Sequence, residues 1–432
     1  MELILTLMLV FFIKIFNIHL NLLMLMINLI TLFLLSKLSM LDWWDINYYF
    51  GMNSCNYGLI ILSMIILSII IINLKNNFNI IMVITLMFMI MMMNFYSMNL
   101  LLYYFFYESS LIFIFYLIMN WSYSIFKLFA SYMMMFYTLL FSLPMLLMIF
   151  YMNIYFDSLM FLLLELNYMY MSNFMIIYMM LGFLVKVPMF FFHGWLLKAH
   201  VEAPFYGSMI LASIMLKLGS YGILRLLFMF KKYEFKYILI MINILGILIM
   251  SLMCLQQIDM KLLIAISSVV HMGLMLSSMF MLTKFSILGS FFMMLSHGFC
   301  SSGLFYLVNE IYKNSKTRLI MLNKGMLMLM PSMSLMWFLM CSSNSAIPLT
   351  LNLFSEIFLM CNLLVYWKMM IYFLILYCFF SFMYSIYLFS MINHGLHDFF
   401  MYFNMNGNLM SFFTLMFHWI PINLVFLFMM GF

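Results

Sequence analysis

Runs of about 20 apolar residues, with little or no charge inside them, follow one another almost to the last residue of this chain. That is the length a helix needs to cross the hydrocarbon of a bilayer, and it is too long for a barrel strand. Backbone groups in lipid must be satisfied within their own segment, so each run is expected to be a helix. Composition agrees. Of 432 residues, 69% are hydrophobic and 7% charged, against about 25% charged in a soluble domain. So few charges cannot build a water-facing surface, and lipid must be the main solvent. The expected fold is an all-α polytopic membrane protein. Its runs lie near 2–16, 20–40, 57–74, 78–96, 98–119, 128–152, 173–195, 204–230, 237–256, 262–281, 285–308, 326–361, 369–391 and 408–430, or about 14 spans.

What lies between the runs is short. The longest pieces, 41–56, 153–172 and 309–325, cannot hold a soluble domain, so nucleotide or redox chemistry would fall to partner chains. The net charge of +6 is small for this length and carries no nucleic-acid signature. Six cysteines are scattered without a CxxC pair, which argues against a disulfide scaffold or a zinc site. Glu2 stands where a signal peptide would be basic, so the first run is expected to stay in the mature chain. Basic residues divide too evenly between alternate loops to orient the chain. The densest basic loop, with Lys313, Lys316, Arg318 and Lys324, is placed on the negative, matrix-like side.

The apolar vocabulary is skewed, with 59 Met and 51 Phe but six Ala and two Arg. Residues with AT-rich codons are favoured, as in a small AT-rich organellar genome. Met runs such as Met91-Met92-Met93 therefore read as lipid-facing filler, since nothing else supports a soft-metal site.

The informative residues are ionisable groups within spans. Each costs roughly 2.5–3.5 kcal/mol at a helix centre on insertion scales, so it should face a bundle interior or a wet cavity. Four stand out: Glu108, Lys186, Lys217 and Glu356. Glu108 could also be a buried carboxylate satisfied by Ser109, Ser110 or a tyrosine, and Lys217 a snorkelling lysine. Lys186 precedes Pro188, which cannot bond back to the Leu184 carbonyl, so the helix should loosen there. Glu356 follows a polar patch, Cys341-Ser342-Ser343-Asn344-Ser345, and then Pro348. Its segment is too long for one straight span and is either two spans or one with an unwound middle. Helices broken beside an ionisable group near the midplane are a transporter device. His271 and His297 sit in further spans, and free imidazole titrates near neutrality; hydrogen-bonded core histidines are the bland alternative. His193 and His200 are placed at a span end, where they could take protons from water or stabilise the loop. Acid, Lys, Lys, His, His, acid in chain order reads as a proton relay in which moving one charge changes its neighbour's proton affinity. The two proline-broken spans lie about five spans apart, as do Glu108 and His271, a faint sign of an inverted repeat.

At these residues the chain resembles the antiporter-like membrane-arm subunits of respiratory complex I, NADH:ubiquinone oxidoreductase. The resemblance is carried by LVKVPMFFFHGWLLKAHVEAPFYGSMILASIMLKLGSYGILR (184–225), FYESSL (106–111), QIDMKLLIAISSVVHMG (257–273), LSHGFCSSGLF (295–305) and SAIPLTLNLFSEIF (345–358). It runs in order from about 100 to 390. It implies two inverted five-helix repeats with helices 7 and 12 broken. The implied organisation is N-terminal helices 1–3 in 1–77, a first repeat in 78–230, a second in 231–392 and helix 14 in 393–432. By match to the family motifs, Glu108 is the helix-5 glutamate, Lys186 the helix-7 lysine and Lys217 the helix-8 lysine. His297 is the helix-11 histidine and Glu356 the helix-12 glutamate. Glutamate at 356, where siblings carry lysine, points to the subunit 4 branch. Departures are the stretch Trp121 to Lys127, Leu197 where the family has proline, and Ile266 where it has tyrosine.

The resemblance implies proton translocation across the mitochondrial inner membrane, with Glu108, Lys186, Lys217, His271, His297 and Glu356 as the relay. It implies no cofactor or metal in this chain, NADH, FMN, iron–sulfur clusters and ubiquinone being held by other subunits. Expected partners are antiporter-like neighbours such as subunits 2 and 5, supernumerary subunits and lipids, and no nucleic acid. A related cation/proton antiporter subunit is the alternative. A haem-carrying membrane subunit would need facing pairs of axial histidines, and a passive scaffold would leave four midplane charges without a use.

Overall fold

In the computed structural model, residues 49–74, 77–122, 124–156, 158–166, 172–230, 235–395 and 407–430 are described. The expected spans at 2–16 and 20–40, with Glu2, lie outside them. From residue 57 onward every expected span coincides with a helix or a broken pair. The helices are α1 Ser54–Asn73, α2 Phe78–Tyr96, α3 Leu100–Trp121, α4 Lys127–Phe156, the short α5 Phe161–Leu166, α6 Asn173–Lys186 and α7 Gly194–Glu202. They continue with α8 Phe205–Met229, α9 Lys236–Leu255, α10 Met260–Met279 and α11 Lys284–Ser315. The last are α12 Pro331–Asn344, α13 Leu351–Tyr366, α14 Met370–Asn393 and α15 Leu409–Met430. Nine helices among the described residues are long and apolar enough to cross a membrane.

Polar side chains start several of them. Asn53 accepts from the Asn56 amide at α1, Asn99 from Leu101 at α3 and Thr283 from Ser286 at α11. Each satisfies one of the amides that a first turn leaves free. Short backbone bridges then fix which ends meet. Phe50 pairs with Ser97 and Asn99 with Met160, gathering the start of α1, the end of α2 and the starts of α3 and α5 on one face. Asp259 pairs with Leu319, bringing the start of α10 and the loop after α11 together on the other, basic face. The α6/α7 pair runs toward the basic face and the α12/α13 pair away from it, the relation an inverted repeat requires.

The middle of the bundle is α8, α10 and α11, buried along nearly their whole length, while only about a third or less of α4 and α14 is covered. Phe136, Leu140 and Leu147 on α4 and Tyr372, Ile375 and Phe379 on α14 are exposed, which lipid tolerates because its tails are as apolar as these side chains. The reading of the Met91-Met92-Met93 run as lipid-facing is corrected: Met91 and Met92 are buried in the core. An unbranched thioether fills an irregular gap as readily as it faces a tail. The span expected to end at 308 continues to Ser315.

Candidate functional site

Both proline-marked spans are broken. α6 stops at Lys186 because Pro188 has no amide to continue the ladder. The Met189 amide slips back to the Leu184 carbonyl at 3.2 Å, and the Val185 carbonyl takes the indole N–H of Trp195 at 2.8 Å. Phe191 turns the chain at φ 74°. The long segment around Pro348 is one span with an unwound middle: α12 ends at Asn344 and α13 begins at Leu351. There the Ile347 amide slips to the Ser342 carbonyl at 3.2 Å and Asn352 donates to the Ser343 carbonyl at 2.7 Å. Ala346 and Leu349 carry φ of 55° and 75°.

Lys186 stands at the first break, fully buried. Its Nζ donates to the Tyr107 carbonyl at 2.7 Å and lies 2.9 Å from the centroid of the Tyr107 ring. Both contacts set an electron-rich group against the nitrogen, with no carboxylate touching it. Glu108 is next in sequence on α3, within electrostatic reach of Lys186 and beside Ser142, and its oxygens are buried without a hydrogen bond among the described residues. Tuning at a distance fits this placement; a contact ion pair does not.

Lys217 lies at the centre of α8, just after a π turn at Leu211–Met215. A π turn shifts the carbonyl register, and Lys217 Nζ reaches the Ala212 carbonyl at 2.7 Å. The same Nζ lies 2.8 Å from His297 Nδ1, so one proton between them can sit on either nitrogen. The His297 ring faces His271, with centroids 5.8 Å apart. His271 Nδ1 is 3.2 Å from Glu356 Oε1, and its Nε2 is 3.1 Å from the Tyr384 hydroxyl. Lys217, His297, His271 and Glu356 thus form one buried file. Lys186 and Glu108 form a second cluster, against which α8 packs closely: a Cβ at Gly219 would stand 3.2 Å from Lys186 Cβ.

The span-end placement of His193 is corrected, while His200 stands in the last turn of α7, at the span end as expected. The broken span continues through α7, so His193 sits at the break and His200 is buried inside the bundle. Both ring nitrogens of His200 lack a hydrogen bond among the described residues, and the charges of Lys261 and Lys217 both act on it. A cavity of about 620 Å³ opens beside it on the basic face, lined in part by Glu202, Lys261, Arg318, Ser122 and Asn309.

The stretch 97–385 matches the family model described as NADH:quinone oxidoreductase/Mrp antiporter, transmembrane. A relative from Apis mellifera ligustica named NADH-ubiquinone oxidoreductase chain 4 is 49% identical over 93% of this chain and 91% of its own. The chain belongs to this family. Chain 4 of Aedes aegypti is 45% identical over 88% of this chain and 87% of its own. Among solved structures, a chain of respiratory complex I from Thermus thermophilus superposes with a TM-score of 0.87 at 17% identity, covering 98% of this chain and 94% of that one. A chain of the archaeal membrane-bound sulfane sulfur reductase gives 0.86 at 16%, covering 98% and 75%. Those two show the fold.

Four polar residues of this family member escaped the sequence reading. Lys261, buried with its Nζ on the Ala203 carbonyl at 2.9 Å, lies one residue inside α10 and reads as a loop lysine. Arg225 is buried on α8 and pairs with Glu165 of α5 at 3.1 Å; eight residues from the expected centre of the 204–230 span, it passes for a snorkelling end. Tyr377 and Tyr384, whose hydroxyls meet His271, sit among the many tyrosines of α14 and carry no signal of their own, although their spacing of seven places them on one helix face.

Proposed function

We propose that this chain is a proton-translocating core subunit of the membrane arm of NADH:ubiquinone oxidoreductase, acting in the mitochondrial inner membrane. The reading rests on the Lys217–His297 contact at 2.8 Å, continued through His271 to Glu356 at 3.2 Å. Lys217 and His297 exchange one proton at the midplane; His271, held by two tyrosine hydroxyls, passes it to the Glu356 carboxylate. His297 links the two halves. Lys186 carries the second proton position, and the Glu108 charge sets how firmly Lys186 holds it. Shifting charge in one cluster alters proton affinity in the other, which is what coupling requires.

On this reading the repeats are 78–230 and 231–392, and the chain needs no cofactor of its own. NADH, FMN, iron–sulfur clusters and ubiquinone belong to other subunits, and antiporter-like neighbours such as subunits 2 and 5, supernumerary subunits and lipids cover its outer helices. The family description includes the Mrp antiporters, so a cation/proton exchanger remains the second reading. Two measurements test the pair. Gently solubilised membranes are run on a native gel; this chain's peptides should peak in the large NADH-oxidising band, and a smaller band without that activity would favour the exchanger. In the assembled complex Lys217→Met should abolish proton transfer, and normal pumping per NADH would overturn the relay.

A further inference from the structure

The relay described so far ends at midplane residues, yet polar groups continue along α11 toward the basic face. His297 and Cys300 share one face of that helix, and Gly303, Tyr306 and Glu310 share another further round it. From His297 to Glu310 the helix rises about 20 Å, from the midplane to the surface. Cys300 Sγ meets the Ser343 hydroxyl at 3.4 Å at the second break. Gly303 lets α15 come close: a Cβ there would stand 3.2 Å from His418 Cβ. The His418 ring stacks on Tyr306 with centroids 6.4 Å apart. Tyr306 OH donates to Asn73 at 3.1 Å and also lies beside Thr414 and Glu310. Glu310 pairs with Lys313 at the surface.

His418 is the unexpected member. It is fully buried, and its Nδ1 lies 2.7 Å from the Thr414 carbonyl. A carbonyl only accepts, so Nδ1 carries the hydrogen and Nε2 of the neutral ring presents a bare lone pair. That Nε2 is buried with no hydrogen-bond partner among the described residues, a costly arrangement for a group with no use. The family match ends at residue 385, so α15 lies beyond it.

We propose that His418, Tyr306 and Glu310 form a side branch that exchanges protons between the basic face and the buried file at the second break. Glu310 takes a proton from water. The Tyr306 oxygen accepts one proton and releases its own hydroxyl proton. His418 Nε2 takes the proton that Tyr306 releases and passes it on toward the break, while Nδ1–H stays on the Thr414 carbonyl. Each transfer breaks one O–H or N–H bond and forms another, and no ring flip is needed. The Met340 end fills the space at Gly303 between His418 and the break, so the branch opens to Cys300 and Ser343 when that flexible side chain swings aside.

The branch rests on the proton-pumping reading, and the test separates the two. His418→Gln, Tyr306→Phe, Glu310→Gln and Lys217→Met are compared in the intact complex reconstituted in liposomes. Assembly is followed on native gels, with proton uptake per NADH and the solvent deuterium effect on coupled turnover as the functional readouts. Each branch variant should lower coupled proton uptake by about fivefold and enlarge the deuterium effect at normal assembly. Normal pumping in Lys217→Met would sink the pump reading itself. Loss in Lys217→Met with normal uptake and isotope effect in the branch variants would overturn the branch alone. If His418→Gln does not assemble, Tyr306→Phe, which removes one oxygen, decides; Glu310→Gln, at the surface, decides should that fail too.

Discussion

At the first break the Val185 carbonyl is taken by an indole N–H; at the second the corresponding Ser343 carbonyl is taken by a carboxamide. In both, a neighbouring amide slips one residue back along the chain, Met189 to Leu184 and Ile347 to Ser342. The backbone problem set by a proline is thus solved alike in the two halves, while the ionisable group beside it is held in different ways. Lys186 sits on a carbonyl and an aromatic face, and its acidic neighbour Glu108 stays out of contact. Glu356 Oε1 lies 3.2 Å from His271 Nδ1, a charge contact without a hydrogen bond among the described residues, and two tyrosine hydroxyls hold the imidazole. A cation without a contact anion can release its proton when a distant charge moves. A carboxylate–imidazole pair resists losing one member. On the proposed relay, the first half would respond and the second would conduct.

The comparison is broken most sharply at the place where the halves meet. Lys217→Met removes the shared proton of the Lys217–His297 contact. Coupled proton uptake should fall about a hundredfold, measured with pH dyes in liposomes, and equal uptake in variant and parent would show that the file does not run through α8.

Glu356→Gln and Glu108→Gln test the difference between the halves. Glu356→Gln removes the charge in contact with His271 and should cost about tenfold in coupled turnover, a change of the size one strong charge-assisted contact supplies. Glu108→Gln acts on Lys186 only through space and should cost about threefold. Equal losses would mean that contact and distance do not distinguish the two carboxylates.

Much of this was legible beforehand, for identifiable reasons. A buried charge has no cheap place in lipid, so Glu108, Lys186, Lys217 and Glu356 announce themselves, and Pro188 and Pro348 mark where the ladder fails. Chain order does not tell which carriers touch. Glu108 neighbours Tyr107, whose carbonyl binds Lys186, yet forms no ion pair with that lysine. His271 was singled out without its two tyrosines because α14 is rich in aromatic residues on every side. Lys261 hid at a helix start, where a lysine is ordinary, and His193 read as a span end because one broken span looks like a span and a loop. Met91 and Met92 show the limit of composition: codon bias explains why Met is common and not where it packs.

Smaller effects are expected in the supports of the breaks. Trp195→Phe keeps the ring and deletes the donor to the Val185 carbonyl; Asn352→Ala deletes the donor to Ser343. Leaving a buried carbonyl unsatisfied costs about 1–3 kcal/mol, so each variant should assemble in lower yield and dissociate at lower temperature on native gels. The Ser343 carbonyl also accepts the Ala346 amide at 3.4 Å, so Asn352→Ala should cost less than Trp195→Phe. A loss confined to one variant would mean that water replaces the donor at the other.

The finest test separates a hydroxyl that positions a carrier from one that only ties helices together. The Tyr384 hydroxyl meets His271 Nε2 at 3.1 Å, whereas the Tyr107 hydroxyl donates to the Gly182 carbonyl at 2.8 Å, away from the Lys186 ammonium. Tyr384→Phe removes one hydrogen bond on the imidazole, worth about 0.5–1.5 kcal/mol, or roughly a two- to tenfold change in how His271 shares a proton with Glu356. Tyr107→Phe keeps both the ring and the backbone carbonyl that hold Lys186, so its effect on pumping should be the smaller of the two, although both lose a bond of similar strength. The quantity to compare is proton uptake per NADH at matched assembly. If Tyr107→Phe proves the more damaging, the carrier in the first half depends on that hydroxyl after all, and the contrast between a responsive half and a conducting half fails at its most direct point.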